Sequence, residues 1–244
     1  MHSKILTLDF VQSQQHQWIK NLKLSFTPEA WTAILGRSGV GKTTLLQIIS
    51  GLLPLHLETP ELQISAHWSE LWGRGMQEQV ALMSQQHALL PWANALDNVL
   101  MGARLRGAIQ PKARQEALDF LDKVGLKERA DAYMFQLSGG MQQRVGLARV
   151  LFENRPMVCL DEPFSALDAV TKAELYPVVK AQLVGRTVIQ VTHDPWEALQ
   201  LADQIYVLAG SPACLVWQWA RATQHQEALA DKAALVTQMI EAMR

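Results

Sequence analysis

Residues 36–43 read Gly-Arg-Ser-Gly-Val-Gly-Lys-Thr, a G-x-x-x-x-G-K-T octapeptide that restricts the surrounding fold more than any other part of this chain. Before it lies Thr32-Ala33-Ile34-Leu35, apolar and partly β-branched, as a buried strand should be. After it comes Thr44-Leu45-Leu46-Gln47-Ile48-Ile49-Ser50, a helical run with Gly51 placed to end it and Pro54 beyond. A strand, a glycine loop and a helix N-terminus in this order form an anion cradle. The glycines let successive N–H groups turn inward, and the helix end adds partial positive charge. Residues Gly36, Arg37, Ser38, Gly39, Val40, Gly41, Lys42, Thr43 and Thr44 are therefore expected to hold a nucleoside triphosphate. Lys42 would reach the β- and γ-phosphates, and the Thr43 hydroxyl would ligate Mg²⁺.

Such a loop is compatible with kinases, GTPases, helicases and transport ATPases alike. Leu137-Ser138-Gly139-Gly140-Met141-Gln142-Gln143-Arg144 narrows the choice. Ser138 is a natural N-cap for a helix running through Val145, Leu147, Ala148, Val150, Leu151 and Phe152. Gly139 and Gly140 let a phosphate approach that helix end. The segment resembles the L-S-G-G-x-x-x-R signature of the ATP-binding cassette (ABC) ATPases. The resemblance implies that two copies pack head to tail, with Ser138, Gly139 and Gly140 of one closing on the γ-phosphate held by the other. A second copy of the chain is thus an expected partner.

Met157-Val158-Cys159-Leu160 is an apolar strand ending in Asp161-Glu162-Pro163. A carboxylate at the tip of a buried strand stands where α/β sheets bind ligands. Asp161 is expected to hold Mg²⁺. Glu162, one residue on and facing away by strand alternation, is expected to be the general base for the attacking water. By resemblance, Ser165-Ala166-Leu167-Asp168 is the family's D-loop, crossing the dimer interface. His193, at the tip of the β-rich run Thr187–Thr192, is its switch histidine. Upstream, Val80–Ser84 leads into Gln85-Gln86-His87. Alignment on Leu89-Leu90-Pro91-Trp92 puts the family's Mg²⁺-contacting glutamine on Gln85, or on Gln86 one residue later. The aromatic that stacks on adenine in the family falls near His16, Trp18 or Phe10.

The expected fold is α/β, a P-loop NTPase core with an antiparallel β region and a helical signature subdomain. All 244 residues fit one such domain. The core takes residues 1–85, with Trp68 and Trp72 near its antiparallel part, and residues 156–220. The helical subdomain takes about 86–153, with pieces at Ala95–Leu105, Lys112–Val124 and the signature helix. A last helix is expected over about 225–243, its stripe Val236, Met239, Ile240 and Met243 packed on its own domain.

A net charge of −1 argues against a nucleic-acid-binding face. No apolar run reaches membrane-helix length; the best, Ile205–Trp217, is broken by Gly210-Ser211-Pro212. No signal peptide is evident. Cys159 and Cys214, the two cysteines, each lie in an apolar run and read as buried thiols. The segment from Leu89 to Val99 resembles the Leu-Pro-Trp type found in importers of nitrate, sulfonates, taurine and pyrimidine precursors. That implies an ATP- and Mg²⁺-dependent subunit at the cytoplasmic face of the cell membrane. Permease subunits would dock near Gln85–Val99, and a solute-binding protein would act indirectly. The alternative is a soluble ABC ATPase acting on DNA, ribosomes or cofactor assembly, but the extra cassettes, coiled coils or basic arms of such proteins are not seen.

Overall fold

The computed structural model describes residues 6–10, 22–53, 62–64, 79–85, 88–107, 111–221 and 229–244. In chain order its elements begin with β1 (Leu6–Phe10), β2 (Leu22–Phe26), β3 (Trp31–Gly36), α1 (Lys42–Ile49), β4 (Leu62–Ile64) and β5 (Val80–Met83). Three helices follow, α2 (Ala95–Leu105), α3 (Ala113–Lys123) and α4 (Gly139–Glu153). Then come β6 (Met157–Asp161), α5 (Ala169–Gln182), β7 (Thr187–Thr192), α6 (Pro195–Leu201), β8 (Gln204–Ala209), β9 (Cys214–Ala220) and α7 (Leu229–Ala242). Packing divides the chain into two units. One comprises residues 1–80, 156–160 and 185–244, the other residues 81–155 and 161–184.

In the first unit, β3 and β7 are buried along their whole length. Their apolar, β-branched runs suit a parallel sheet covered on both faces. The strands run in the order β6-β7-β3-β8-β9. β3 pairs parallel with β7 and with β8, while β9 returns antiparallel to β8. Gly210-Ser211-Pro212, the interruption noted in the sequence, lies between the paired strands β8 and β9. The antiparallel sheet β2-β1-β4 shows its amphipathic period in β2, where Leu22, Leu24 and Phe26 are buried and Lys23 is exposed. Tyr206 fastens β8 to β2, its hydroxyl donating to Ser25 O at 2.8 Å and accepting from Ser25 N at 3.2 Å. In α7, Val236 and Met239 are buried but Ile240 is 41% exposed, so only part of the apolar stripe is covered. Trp68 and Trp72 lie outside the described residues.

The second unit is mostly helical. Asn94 caps α2 by accepting from Asp97 N at 2.7 Å, and Leu96, Val99 and Leu100 are buried. Ala117 and Leu121 of α3 and Val145, Leu147 and Leu151 of α4 complete this core. Phe120 and Phe152 meet edge to face at 6.3 Å. The sequence division assigns 156–220 to the nucleotide-binding core, yet residues 161–184 pack with the helical unit. The cause is visible in a buried glutamine of α4, described below, that hydrogen-bonds to Glu162, Ser165 and Ala166; within the segment Phe164 is fully buried and edge-on to Tyr176 at 5.0 Å.

Candidate functional site

The loop at residues 36–41 is shaped by backbone that only glycine takes easily. Gly39 and Gly41 have φ of 83° and 101°, in the left-handed region. At Gly36 a Cβ would lie 2.6 Å from Leu208 O, so a side chain there would collide with the neighbouring strand. No side chain caps α1, which leaves its first N–H groups directed at the loop. Lys42 is 6% exposed, and its Nζ donates to Gly36 O at 2.7 Å and Arg37 O at 3.0 Å. The cation is thus folded into the concavity that its own loop surrounds, a fitting receptor for a polyphosphate. Thr43 is exposed and Thr44 half-buried.

The sheet register brings His193 to the same edge. Parallel pairing of Leu35 with Thr192, the last residue of β7, puts His193 just past that strand, next after the pair as Gly36 is on β3. Below this edge a buried polar chain ties three elements together. Trp31 Nε1 donates to Gln190 Oε1 at 2.8 Å, and Gln190 Nε2 donates to Glu197 Oε1 at 2.5 Å. Asp194 accepts from Trp196 N and Glu197 N at 3.0 and 3.2 Å, starting α6 directly after the histidine.

In the second unit, Asp161 ends β6 and is 2% exposed. Glu162 does not continue the strand. Its φ is 49°, a left-handed conformation that costs a residue with a Cβ on the order of 1–2 kcal/mol. Strand alternation, the reason given for Glu162 facing away from Asp161, is therefore replaced by a turn. Gln143 holds that turn. Fully buried on α4, it donates from Nε2 to Glu162 O at 2.8 Å and Ser165 Oγ at 3.2 Å, and accepts at Oε1 from Ala166 N at 2.9 Å. Sequence reasoning passes over this residue as one letter of the signature, since its partners lie about twenty positions away.

Ser138 caps α4, accepting from Met141 N at 3.3 Å, and Ser138 and Gly139 are exposed. Gly140 packs tightly, since a Cβ there would lie 3.0 Å from Ala166 O. Asp168 caps α5, taking hydrogen bonds from Val170 N, Thr171 N and Thr171 Oγ1 at 3.0, 3.0 and 2.7 Å. These bonds, those from Thr171 foremost, hold its carboxyl below the usual carboxylate range.

Gln85 is exposed just past β5, whereas Gln86 and His87 lie outside the described residues. The turn after them is held from inside. Asn98, fully buried, accepts from Leu90 N at 2.7 Å and donates to Leu90 O, Ala93 O and Asn94 O at 3.2, 3.2 and 3.0 Å. Trp92 projects outward, 73% exposed. Beside it in the same unit, Ala95 N donates to Ala132 O at 2.9 Å. The following residues Tyr133 and Phe135 stack at 5.9 Å, with Phe135 81% exposed. This pair has no counterpart in the sequence reading, because Phe135 stands between Met134 and Leu137, both buried. Of the adenine candidates, Phe10 ends β1, while His16 and Trp18 lie outside the described residues.

Residues 19–165 match the family described as ABC transporter. The chain is 38% identical over 189 residues to an uncharacterized ABC transporter ATP-binding protein of Haemophilus influenzae, covering 78% of this chain and 75% of that one. It is 37% identical over 218 residues to the taurine import ATP-binding protein TauB of Pseudomonas aeruginosa, covering 88% and 80%. The aliphatic sulfonates import ATP-binding protein SsuB of Yersinia pestis is 39% identical over 196 residues, covering 78% and 66%. Among solved structures, the dimeric bacterial ABC transporter cassette MJ0796 superposes with a TM-score of 0.73 at 26% identity, over 90% of this chain and all of the other. The same cassette in a post-hydrolysis state holds ADP and Pi, with the same score, identity and coverage.

Proposed function

The chain belongs to the ABC transporter family, and on that premise we propose that it is the ATP-hydrolysing subunit of a membrane importer for a small solute. It energises a separate permease. The observation that carries this reading is the glycine loop closed around buried Lys42, in a chain whose relatives include taurine and sulfonate import ATP-binding proteins. Those import relatives weigh against a non-transport ATPase working on DNA, ribosomes or cofactor assembly.

ATP is held by residues 36–44. Lys42 places its charge on the β- and γ-phosphates. The metal donors would be the Thr43 hydroxyl, the Asp161 carboxylate and the Gln85 amide oxygen, all hard oxygen groups of the kind Mg²⁺ accepts. When bound there, Mg²⁺ would offset the charge that develops on the transferred phosphoryl group. Glu162 accepts the proton of the attacking water as its oxygen bonds to the γ-phosphorus and the bond from that phosphorus to the bridging β–γ oxygen breaks, releasing ADP and phosphate. His193 orients the water and contacts the γ-phosphate. Ser138, Gly139 and Gly140 of a second copy close the site from the opposite side, with Asp168 at the crossing. The cytoplasmic face of the cell membrane is where such a subunit works, bound peripherally to the permease. The docking surface is the turn carrying Pro91 and Trp92, extended by the exposed Tyr133 and Phe135. Solute choice resides in the permease and a solute-binding protein.

The test is Glu162→Gln. Losing a positioned base typically lowers turnover by about 10²–10⁴-fold, so steady-state ATPase should nearly vanish while ATP binding persists. ATP should then trap a dimer, visible by sedimentation. Retention of most of the wild-type rate would refute the assignment of the base.

A further inference from the structure

Gln143 has no role in the reading above, yet it is fully buried and spends both ends of its amide on one short segment. Its Nε2 reaches Glu162 O at 2.8 Å and Ser165 Oγ at 3.2 Å, and its Oε1 receives Ala166 N at 2.9 Å. Ser165 reinforces the arrangement, its Oγ donating to Glu162 O at 3.1 Å. The same carbonyl therefore accepts from two side chains at a residue whose φ is 49°. A left-handed glutamate persists only where its surroundings over-determine it, and Gln143 supplies much of that determination. Gln143 itself stands on the second turn of α4, whose first residues are Gly139 and Gly140.

We propose that Gln143 is a positioning residue that locks the backbone of Glu162 to the signature end of α4, so that closure of that helix end on one nucleotide sets the base at the other. The proposal rests on the head-to-tail reading. In that arrangement α4 of one copy meets the nucleotide held by its partner, whereas Glu162 serves the nucleotide of its own copy. A rigid amide between them makes each catalytic base report the occupancy of the opposite site. Coupling of this kind requires a physical element that both sites bias. The segment Glu162–Ala166, clamped to α4, is that element.

The experiment compares wild type, Gln143→Leu and Gln143→Glu by ATPase rate against ATP concentration and pH. Gln143→Leu removes donor and acceptor together. Its kcat should fall roughly 10- to 100-fold, with the KM for ATP within about twofold, and any Hill coefficient above one in the wild type should drop to one. Gln143→Glu keeps an acceptor for Ala166 N but loses the donor to Glu162 O while ionised. A buried carboxyl titrates upward, and once protonated it donates again. The activity of Gln143→Glu relative to wild type should therefore rise as pH falls, whereas that of Gln143→Leu should not. A merely space-filling role would leave the two pH profiles parallel. Each change is also placed in a Glu162→Gln background to measure ATP-driven dimerisation. If dimers form as before, the head-to-tail reading stands and the lock alone is on trial. Folded Gln143→Leu with kcat and cooperativity unchanged overturns the proposal, as does a lowered kcat with cooperativity intact. If Gln143→Leu does not fold, Gln143→Glu decides through its pH profile, a flat ratio to wild type counting against the lock.

Discussion

Two helix N-termini in this molecule are proposed to face phosphate, and they are built differently. At α1 the first turn has no side-chain cap, left-handed glycines lie just before it, and Lys42 is buried within the loop. At α4 the first turn is capped by Ser138, begins with exposed Ser138 and Gly139 and has no cation among its first residues Gly139–Gln143. The first end carries its own counter-charge and cradle, and should bind ATP unaided. The second offers only N–H groups and a hydroxyl, which on the proposed function would act on a phosphate that something else already holds. On the proposed function, binding and catalysis are separable within one chain: α1 would govern affinity and α4 turnover.

Substitutions at the two ends should break that symmetry in opposite ways. Ser138→Arg puts bulk and a mobile cation where a close approach is needed. Turnover should fall about 10²-fold or more, the scale of losing a transition-state donor, while titration with a fluorescent ATP analogue stays near wild type. Lys42→Ala removes a charged hydrogen-bond donor, worth about 1.5–3 kcal/mol, so ATP affinity itself should drop on the order of 10- to 100-fold. Equal loss of ATP affinity in both variants would erase the distinction.

Trp92→Ala examines the exposed surface of the second unit. Truncating an aromatic anchor commonly costs about 2 kcal/mol or more of binding, roughly thirtyfold. Co-purification with the permease and transport should both weaken, with the ATPase of the isolated subunit unaffected. A variant that assembles and transports normally would leave the Pro91–Trp92 turn without the proposed role.

A third helix start gives the smallest effect. Asp168 caps α5 with a carboxyl held below its ordinary range by hydrogen bonds, first those from Thr171. A depressed carboxylate contributes stability above its unfolded pKa of about 3.9 and loses it as pH falls through the lower folded value. Asn caps nearly as well as Asp. The thermal midpoint of Asp168→Asn should therefore lie slightly below wild type near neutral pH, and the gap should close on acidification below about pH 4. A gap that widened in acid would contradict the stated cause.

What could be read beforehand follows the range of the forces involved. The loop at 36–43 was legible because its pattern encodes local backbone geometry, and the helix expected at Ala95–Leu105 is α2. Ser138 as a cap is also local. The left-handed turn at Glu162 was not, because a glutamate after an apolar strand looks like one more strand residue. Its cause, Gln143, is remote in sequence and specified only by folding. The packing of 161–184 with the helices depends likewise on Gln143 meeting its partners. Phe135 was hidden by chemistry, since an exposed aromatic and a buried one are the same letter.

The central claim, that a working site joins α1 of one copy to α4 of another, is tested most directly by mixing Lys42→Ala with Ser138→Arg subunits. At an ATP concentration too low to fill Lys42→Ala, neither variant should hydrolyse ATP appreciably alone. In a symmetric head-to-tail dimer, random mixing yields half heterodimers, each with one intact composite site, so turnover should rise to at most about a quarter of wild type. It should stop short of that where the lock through Gln143 leaves the base of that site dependent on closure at the other, disabled one. A mixture no more active than the average of its two components would contradict the arrangement.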